Sequence, residues 1–265
     1  MILAAGCSWT DSNFVSLDQT LKDQDRGGWP MWPEVMGTKL GLETKNLGLA
    51  GCDNRYIFNS VIDEIWKHTK IDLCVVMWTG WDRFQYLNTW KYPMASYVLN
   101  NADYHADRVT PNENRSQKDI DYFFESFGIL NEFTSHYDGS YRELKKYSKN
   151  IVDGTLRYMH MLSTALENNN IPYLFAQGVP GFPLGWISGN YSDKEVLKDI
   201  MNCMYMPYLK KNKRIIGFPF QSIFGGSTMY NILENNEKDL KVSELDMHPN
   251  AEGQRLIAQE LMRHL

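Results

Sequence analysis

Apolar and polar stretches alternate along the chain in a pattern that predicts strands and helices in turn. Residues 1–5 and 71–78 are short and almost continuously apolar, as expected for strands that are buried on both faces of a parallel sheet. Residues 251–265 carry apolar side chains at the spacing of one helix face. Over the whole chain, the pattern predicts strands at 1–5, 44–49, 71–78, 171–177 and 214–220, and helices at 33–41, 55–67, 151–167, 194–209 and 251–265. This alternation predicts an α/β fold, a three-layer sandwich with a mostly parallel sheet of about five strands and helices on both faces.

The stretch from residue 84 to about residue 150 departs from this alternation. It is dense in Tyr, Phe and Trp, and at roughly 65 residues it is too long for a plain connection between a strand and a helix. We interpret the chain as a single domain over residues 1–265 with an aromatic-rich insertion at about 84–150. The aromatic side chains of the insertion either stack on sugar rings of a substrate or form the core of a small cap.

Composition and charge exclude several classes of function. With 265 residues, of which 43% are hydrophobic, the chain can bury one substantial core. The formal net charge of −5 offers no basic surface for nucleic acid or for an anionic membrane, so neither is an expected partner. We see no secretion signal and no apolar run near the roughly 20 residues of a membrane helix. We therefore expect a cytoplasmic or virion-associated protein, whose oligomeric state the sequence does not define.

The four cysteines of the chain form no C-x-x-C pair. They are Cys7, Cys52, Cys74 and Cys203. Such cysteines predict neither a disulfide framework nor a zinc site, and three of them lie in or beside predicted strands, where a cysteine acts as a small apolar residue. We expect no metal and no cofactor.

Two polar residues near opposite ends of the chain are candidates for chemistry. Ser8 follows the first apolar strand and Gly6, so a tight turn would present its hydroxyl at the carboxyl edge of the sheet. His248 stands in the loop before the last helix, with Asp246 two residues earlier. Taken singly, Ser8 is also typical of a helix cap and His248 of a loop. Together they suggest catalysis by a serine, a histidine and an acid.

Four short motifs resemble, in order, the conserved blocks of the SGNH (GDSL-type) hydrolases. They are Gly-Cys-Ser at 6–8, Asn-Leu-Gly-Leu-Ala-Gly at 46–51, Thr-Gly-Trp-Asp at 79–82 and Asp-Met-His-Pro at 246–249. The resemblance leaves residues 84–150 unmatched. It implies a flavodoxin-like arrangement of the sheet, with Ser8 as the nucleophile, His248 as the base, and the backbone N–H groups of Ser8 and Gly51 in an oxyanion hole.

Two positions depart from the family pattern. The third block of the family usually carries an Asn that donates to the oxyanion, and Asp82 stands in that register here. Because an ionised carboxylate cannot donate a hydrogen bond, either Asp82 is turned away, for example toward Arg83, or the oxyanion hole has other donors. The acid of the family usually precedes the histidine by three residues, where this chain has Leu245. Asp246 is therefore the first candidate for the acid, and Glu244 the second.

The sequence predicts an esterase of the SGNH type that cleaves a carboxylic ester through a Ser8, His248 and Asp246 acyl-enzyme mechanism. The expected substrates are small-molecule or glycan esters, with O-acyl groups on a carbohydrate, as in deacetylation, among the candidates. Residues beside the motif positions are predicted substrate contacts, namely Trp9, Asn54, Trp81 and Arg83. Two alternatives stay open: a non-catalytic carbohydrate-binding or structural protein that retains the fold, and an acyltransferase that uses the same serine.

Overall fold

The structure is a computed structural model that describes residues 1–16, 18–67, 70–81, 83–86, 95–98, 141–181, 193–220, 225–236 and 239–265, with the backbone alone at 83–86, 95–98, 141–151 and 193–197. Its strands are β1 (Ile2–Ala5), β2 (Thr44–Asn46), β3 (Leu73–Trp78), β4 (Arg83–Tyr86), β5 (Ala95–Val98) and β6 (Tyr173–Gln177). Its helices are α1 (Trp32–Leu40), α2 (Asn54–Trp66), α3 (Tyr141–Asn168), α4 (Asp193–Asn202), α5 (Met206–Leu209), α6 (Met229–Glu234) and α7 (Ala251–Met262). A short 3-10 helix covers Asp23–Asp25.

A parallel sheet of four strands, in the order β2-β1-β3-β6, forms the centre of the fold. Every residue of β1, β3 and β6 is buried, because helices cover both faces of the sheet. Helix α1 packs against α7, helix α2 packs against α3, and both α1 and α2 contact β1. The two short strands β4 and β5 pair antiparallel in a separate sheet. This arrangement confirms the predicted α/β class.

The predicted strand at 214–220 is wrong as a strand. Within these residues, Ile215 alone pairs with the sheet, through one parallel bridge to Phe175 of β6. Gly217 follows with φ of 74°, and Pro219 has no N–H to donate to a ladder. The segment therefore turns away after one bridge, and the central sheet contains four strands within the residues that the structure describes.

Two helices also differ from their predicted bounds. The helix predicted at 151–167 begins ten residues earlier, at Tyr141, so the end of the predicted insertion is helical. The helix predicted at 194–209 is divided into α4 and α5. Pro207 lies in the first turn of α5, where its missing N–H would leave a gap in a continuous helix.

None of the helices described by the structure combines the length and the apolar character that a membrane span requires.

Candidate active site

The turn after β1 presents Ser8 at the carboxyl end of the sheet. A side chain at Gly6 would place its Cβ only 2.1 Å from Oγ1 of Thr10, so the turn can close only over a glycine. The backbone N–H of Thr10 donates to the carbonyl of Cys7 at 2.8 Å and closes the turn. Ser8 itself is 5% exposed, so most of the residue is shielded from solvent.

Ser8, His248 and Asp246 form a continuous series of hydrogen bonds. The distance from Ser8 Oγ to His248 Nε2 is 2.7 Å, and the distance from His248 Nδ1 to Asp246 Oδ1 is 2.5 Å. Since an ionised carboxylate only accepts hydrogen bonds, Nδ1 donates to Asp246, and Nε2 is left to accept the proton of Ser8. The structure therefore brings together all three residues that the sequence proposed for catalysis.

The loop between Lys241 and Pro249 explains how an acid only two residues before the histidine reaches its ring. These two residues pair in an antiparallel bridge, and Val242 N donates to the carbonyl of His248 at 2.8 Å. In this tight loop, Asp246 Oδ1 accepts from the backbone N–H of His248 at 3.0 Å as well as from Nδ1. This contact is an Asx-type turn, which needs only one intervening residue.

The other two positions considered for the acid face the solvent. Leu245, which stands where the family carries its acid, is 74% exposed, and Glu244 is also exposed. Between the two carboxylates proposed from the sequence, the structure therefore selects Asp246 as the one in contact with His248.

The carboxyl group of Asp246 is held in its ionised form. Burial by itself raises its pKa, but the hydrogen bond and the charge of His248, together with a hydrogen bond from Ser16, outweigh burial. They lower the pKa of Asp246 from 3.8 to about 2. Ser16 Oγ donates to Asp246 Oδ2. The sequence contains no local signal for this contact, since Ser16 lies in an ordinary polar stretch.

Two further residues that the sequence did not single out hold the site in place. Phe14 packs on the ring of His248, with the ring centroids 4.3 Å apart and the planes inclined by 31°. The fully buried Gln254 of α7 donates to the carbonyl of Trp9 at 3.3 Å and accepts from the backbone N–H of Trp32 at 3.0 Å. Gln254 thereby joins the helix that follows His248 to the turn that carries Ser8.

The loop that carries Gly51 lies against the Ser8 turn. Ala50 N donates to Oδ2 of Asp11 at 2.8 Å, and a Cβ at Gly48 would lie 2.6 Å from the backbone N of Asp11. Gly51 has φ of 79°, the left-handed conformation expected for a turn glycine. In the part of the chain that the structure describes, the backbone N–H groups of Ser8 and Gly51 have no hydrogen-bond acceptor.

Three of the predicted substrate contacts are buried side chains. Trp9 and Trp81 are each 2% exposed, and Trp81 Nε1 donates to Gln177 Oε1 at 3.2 Å. The side chain of Asn54 accepts from the backbone N–H of Thr79 at 2.9 Å and donates to its carbonyl at 3.2 Å, which joins α2 to the end of β3. These contacts hold the side chains within the fold, and the predicted substrate contacts at Trp9, Asn54 and Trp81 stay predictions.

The remaining two predicted site residues are Asp82 and Arg83. Asp82 lies outside the described residues, and its predicted position in the oxyanion hole stays a prediction. Arg83 is described as the first residue of β4 by its backbone alone. Among the described residues, no group of three or more His, Cys, Asp or Glu side chains could hold a metal ion.

No protein-family model and no curated protein matches this chain. Solved structures do match, among them a lipolytic protein of the G-D-S-L family from Desulfitobacterium hafniense DCB-2, at 13% identity and a TM-score of 0.48, over 100% of this chain and 98% of that one. A catalytic mutant of the acetylxylan esterase Axe2 from Geobacillus stearothermophilus matches at 13% identity and a TM-score of 0.42, over 99% and 92%. The acetyl xylan esterase AlAXEase matches at 13% identity and a TM-score of 0.39, over 100% of both chains. Similarity at this level does not define a function.

Proposed function

We propose that this protein is a serine hydrolase of the SGNH type that cleaves carboxylic esters. One observation carries the proposal: the hydrogen-bonded series from Ser8 Oγ through both ring nitrogens of His248 to Asp246, at 2.7 Å and 2.5 Å. A nucleophile, a base and an orienting acid in this order are the groups that acyl transfer requires. Their place at the carboxyl edge of a parallel sheet is where α/β folds of this kind bind ligands.

In the proposed reaction, His248 Nε2 takes the proton of Ser8 as Ser8 Oγ attacks the acyl carbonyl carbon. The imidazolium that forms is stabilised by Asp246, whose pKa of about 2 keeps it ionised at neutral pH. His248 then gives the proton to the leaving alkoxide, and the C–O bond of the ester breaks to leave an acyl-enzyme. A water molecule, deprotonated by the same nitrogen, then attacks the acyl carbon. The bond between that carbon and Ser8 Oγ breaks as His248 gives the proton back to Oγ, which releases the acid and restores Ser8.

The negative oxygen of each tetrahedral intermediate needs donors that are already in place. We assign this role to the backbone N–H groups of Ser8 and Gly51, which have no acceptor within the described residues. The Ser8 turn is buried, and a hydrogen bond from Ala50 N to Asp11 holds the Gly51 loop against it. Donors that are already fixed in this way would bind the oxyanion with little reorganisation.

We propose an O-acyl group on a carbohydrate as the substrate, with esters of small molecules as the broader class. The aromatic density of residues 84–150 supports a sugar-bearing alcohol, because flat aromatic rings stack on the apolar faces of sugars.

The test of catalysis is labelling with a fluorophosphonate, followed by intact mass and peptide mapping. The proposal predicts one adduct, located on Ser8, and no adduct in the Ser8→Ala variant. Folded wild-type protein that stays unlabelled would favour the alternative of a non-catalytic binding protein, for which Asp82 in the register of a donor is the motivating observation. Turnover of p-nitrophenyl esters beside acetylated xylan and other acetylated glycans then tests the substrate class.

A further inference from the structure

We propose that Ser16 is a positioning residue of this site, which holds the second carboxylate oxygen of Asp246 and thereby orients His248. The inference rests on the proposed function, since it concerns the same three residues. Its starting point is the division of the Asp246 carboxylate between two partners. Oδ1 accepts from the ring and the backbone of His248, and Oδ2 accepts from the hydroxyl of Ser16.

The backbone of Ser16 is anchored from both sides. Its N–H donates to the carbonyl of Arg26 at 2.6 Å, and its carbonyl accepts from Nε of Arg26 at 2.9 Å. The neighbouring Val15 pairs with Gly27 in an antiparallel bridge. Ser16 is fully buried, so water does not compete for its hydroxyl. These contacts fix the backbone of Ser16 independently of Asp246.

The direction of the Ser16 hydroxyl proton follows from its other contact. The backbone N–H of Asp18 donates to Ser16 Oγ at 3.1 Å and occupies a lone pair of that oxygen. The single O–H of the hydroxyl is then directed to Asp246 Oδ2, which, as a carboxylate oxygen, only accepts. Ser16 is therefore a committed donor to the acid.

A second pair of residues joins the same two segments. Ser243 Oγ donates to Oδ2 of Asp18 at 2.6 Å, and the backbone N–H of Asp246 donates to Ser243 Oγ at 3.0 Å. Ser16 thus contacts the carboxylate of Asp246 directly, and Asp18 is linked to the backbone of Asp246 through Ser243. This second contact holds the loop at the distance that the Ser16 bond needs.

The short spacing between acid and histidine gives Ser16 its importance. The terminal torsion of an Asp side chain is broad, so the loop alone does not fix the plane of the carboxylate. Donors on both oxygens restrict that plane and keep Oδ1 directed at Nδ1 of His248. Loss of the Ser16 donor would let the carboxylate rotate and would misalign the imidazole with respect to Ser8.

Ser16→Ala and Ser16→Cys test the donor, and Ser163→Ala is the matched control. Cysteine keeps the volume of the side chain but is a weak donor, so a packing role predicts wild-type behaviour for Ser16→Cys. Ser163 is equally suited to Ala replacement because it is 4% exposed and donates within α3 to the carbonyl of His160, away from the site. We expect kcat for p-nitrophenyl acetate to fall about 10- to 100-fold in both Ser16 variants, with KM within about twofold, and to stay unchanged in Ser163→Ala. Ser16→Thr, which keeps the hydroxyl, is expected to recover most of kcat.

Proton NMR of the hydrogen-bonded Nδ1–H of His248 supplies a readout that does not depend on turnover. We expect its downfield resonance to shift or broaden in Ser16→Ala and Ser16→Cys and to stay unchanged in Ser163→Ala. If the wild type hydrolyses no ester but this resonance responds as expected, the positioning role stands and the proposed function fails. If the wild type is active and the Ser16 variants match Ser163→Ala in both kcat and the resonance, the positioning role is overturned while the proposed function stands.

Discussion

The turn that carries Ser8 and the loop that carries His248 meet at the candidate active site, but different kinds of interaction hold them in place. The Ser8 turn is shaped by close packing, because a side chain at Gly6 would collide with Thr10, and the residues from Cys7 to Thr10 are buried. The His248 loop is more exposed, with 30% of the His248 side chain accessible. Polar contacts hold this loop, and they centre on the ionised carboxylate of Asp246.

Because of this difference, the Ser8 turn and the His248 loop should tolerate different kinds of substitution. Packing around Ser8 does not depend on pH, but it fails if volume is added. The contacts around His248 tolerate changes of volume at the exposed Leu245 or Glu244, but they depend on the charge and the donors at Asp246. We therefore expect substitutions that add volume to perturb the Ser8 turn, and substitutions that remove charge to perturb the His248 loop.

The largest expected effect comes from removing the groups that transfer the proton. Ser8→Ala and His248→Ala are each expected to lower kcat/KM for an ester by on the order of 10⁴-fold or more, with little further loss in the double variant, because the two residues act as a unit. Steady-state kinetics on the three variants, with thermal melts to confirm folding, measure this. Losses that multiply in the double variant would contradict a shared proton-transfer step.

The next effect tests the charge at Asp246. Asp246→Asn should lower kcat on the order of 10³-fold, because an amide neither stabilises the imidazolium nor selects the tautomer with the proton on Nδ1. Glu244→Gln is the matched control, since it neutralises an exposed carboxylate two residues away in the same loop. Its kcat should stay within about twofold of wild type. The reverse ranking of the two variants would move the acid to Glu244.

Added volume in the Ser8 turn should lower the stability of the protein. Gly6→Ala is expected to lower the free energy of unfolding by about 1 to 3 kcal/mol, because its Cβ would lie 2.1 Å from Oγ1 of Thr10. Gly154→Ala in α3 is the control, since a Cβ there meets nothing within 4 Å. Alanine at that helical position should raise stability by about 0.5 to 1 kcal/mol. Urea unfolding of both variants measures the difference, and equal changes would mean that the Ser8 turn adapts to added volume.

The smallest expected effect is the pH dependence that Asp246, in the His248 loop, gives to the free energy of unfolding. The pKa of Asp246 is lower in the folded protein, at about 2, than its ordinary value of 3.8, so the unfolded chain binds more protons between these values. The carboxylate therefore contributes about 2 kcal/mol of stability above about pH 4, and this contribution is lost as the pH falls through about 2. Urea unfolding of wild type and Asp246→Asn between about pH 6 and about pH 2 isolates it. A difference between the two proteins that is constant with pH would contradict the assignment.

Much of the fold and the core of the site could be predicted from the sequence, because their signals are local. Continuous apolar runs marked β1 and β3, and Pro33 and Gly41 marked the two ends of α1, where Gly41 indeed caps the helix with φ of 65°. Ser8 and His248 could be proposed because each follows or precedes such an element at the edge where parallel strands end. Hydrophobic periodicity and turn chemistry extend over only a few residues, so they can be recognised from the sequence alone.

What only the tertiary structure decided depends on contacts between distant residues. Ser16 and Asp246 are 230 positions apart, and no pattern near either residue announces their hydrogen bond. The burial of Trp9 and Trp81 is likewise decided by what packs over them, since an aromatic side chain beside a motif suits a core and a binding surface equally well. The strand predicted at 214–220 failed for a related reason: an apolar run has strand character, but pairing needs a backbone that can stay beside β6, and Gly217 turns the chain away.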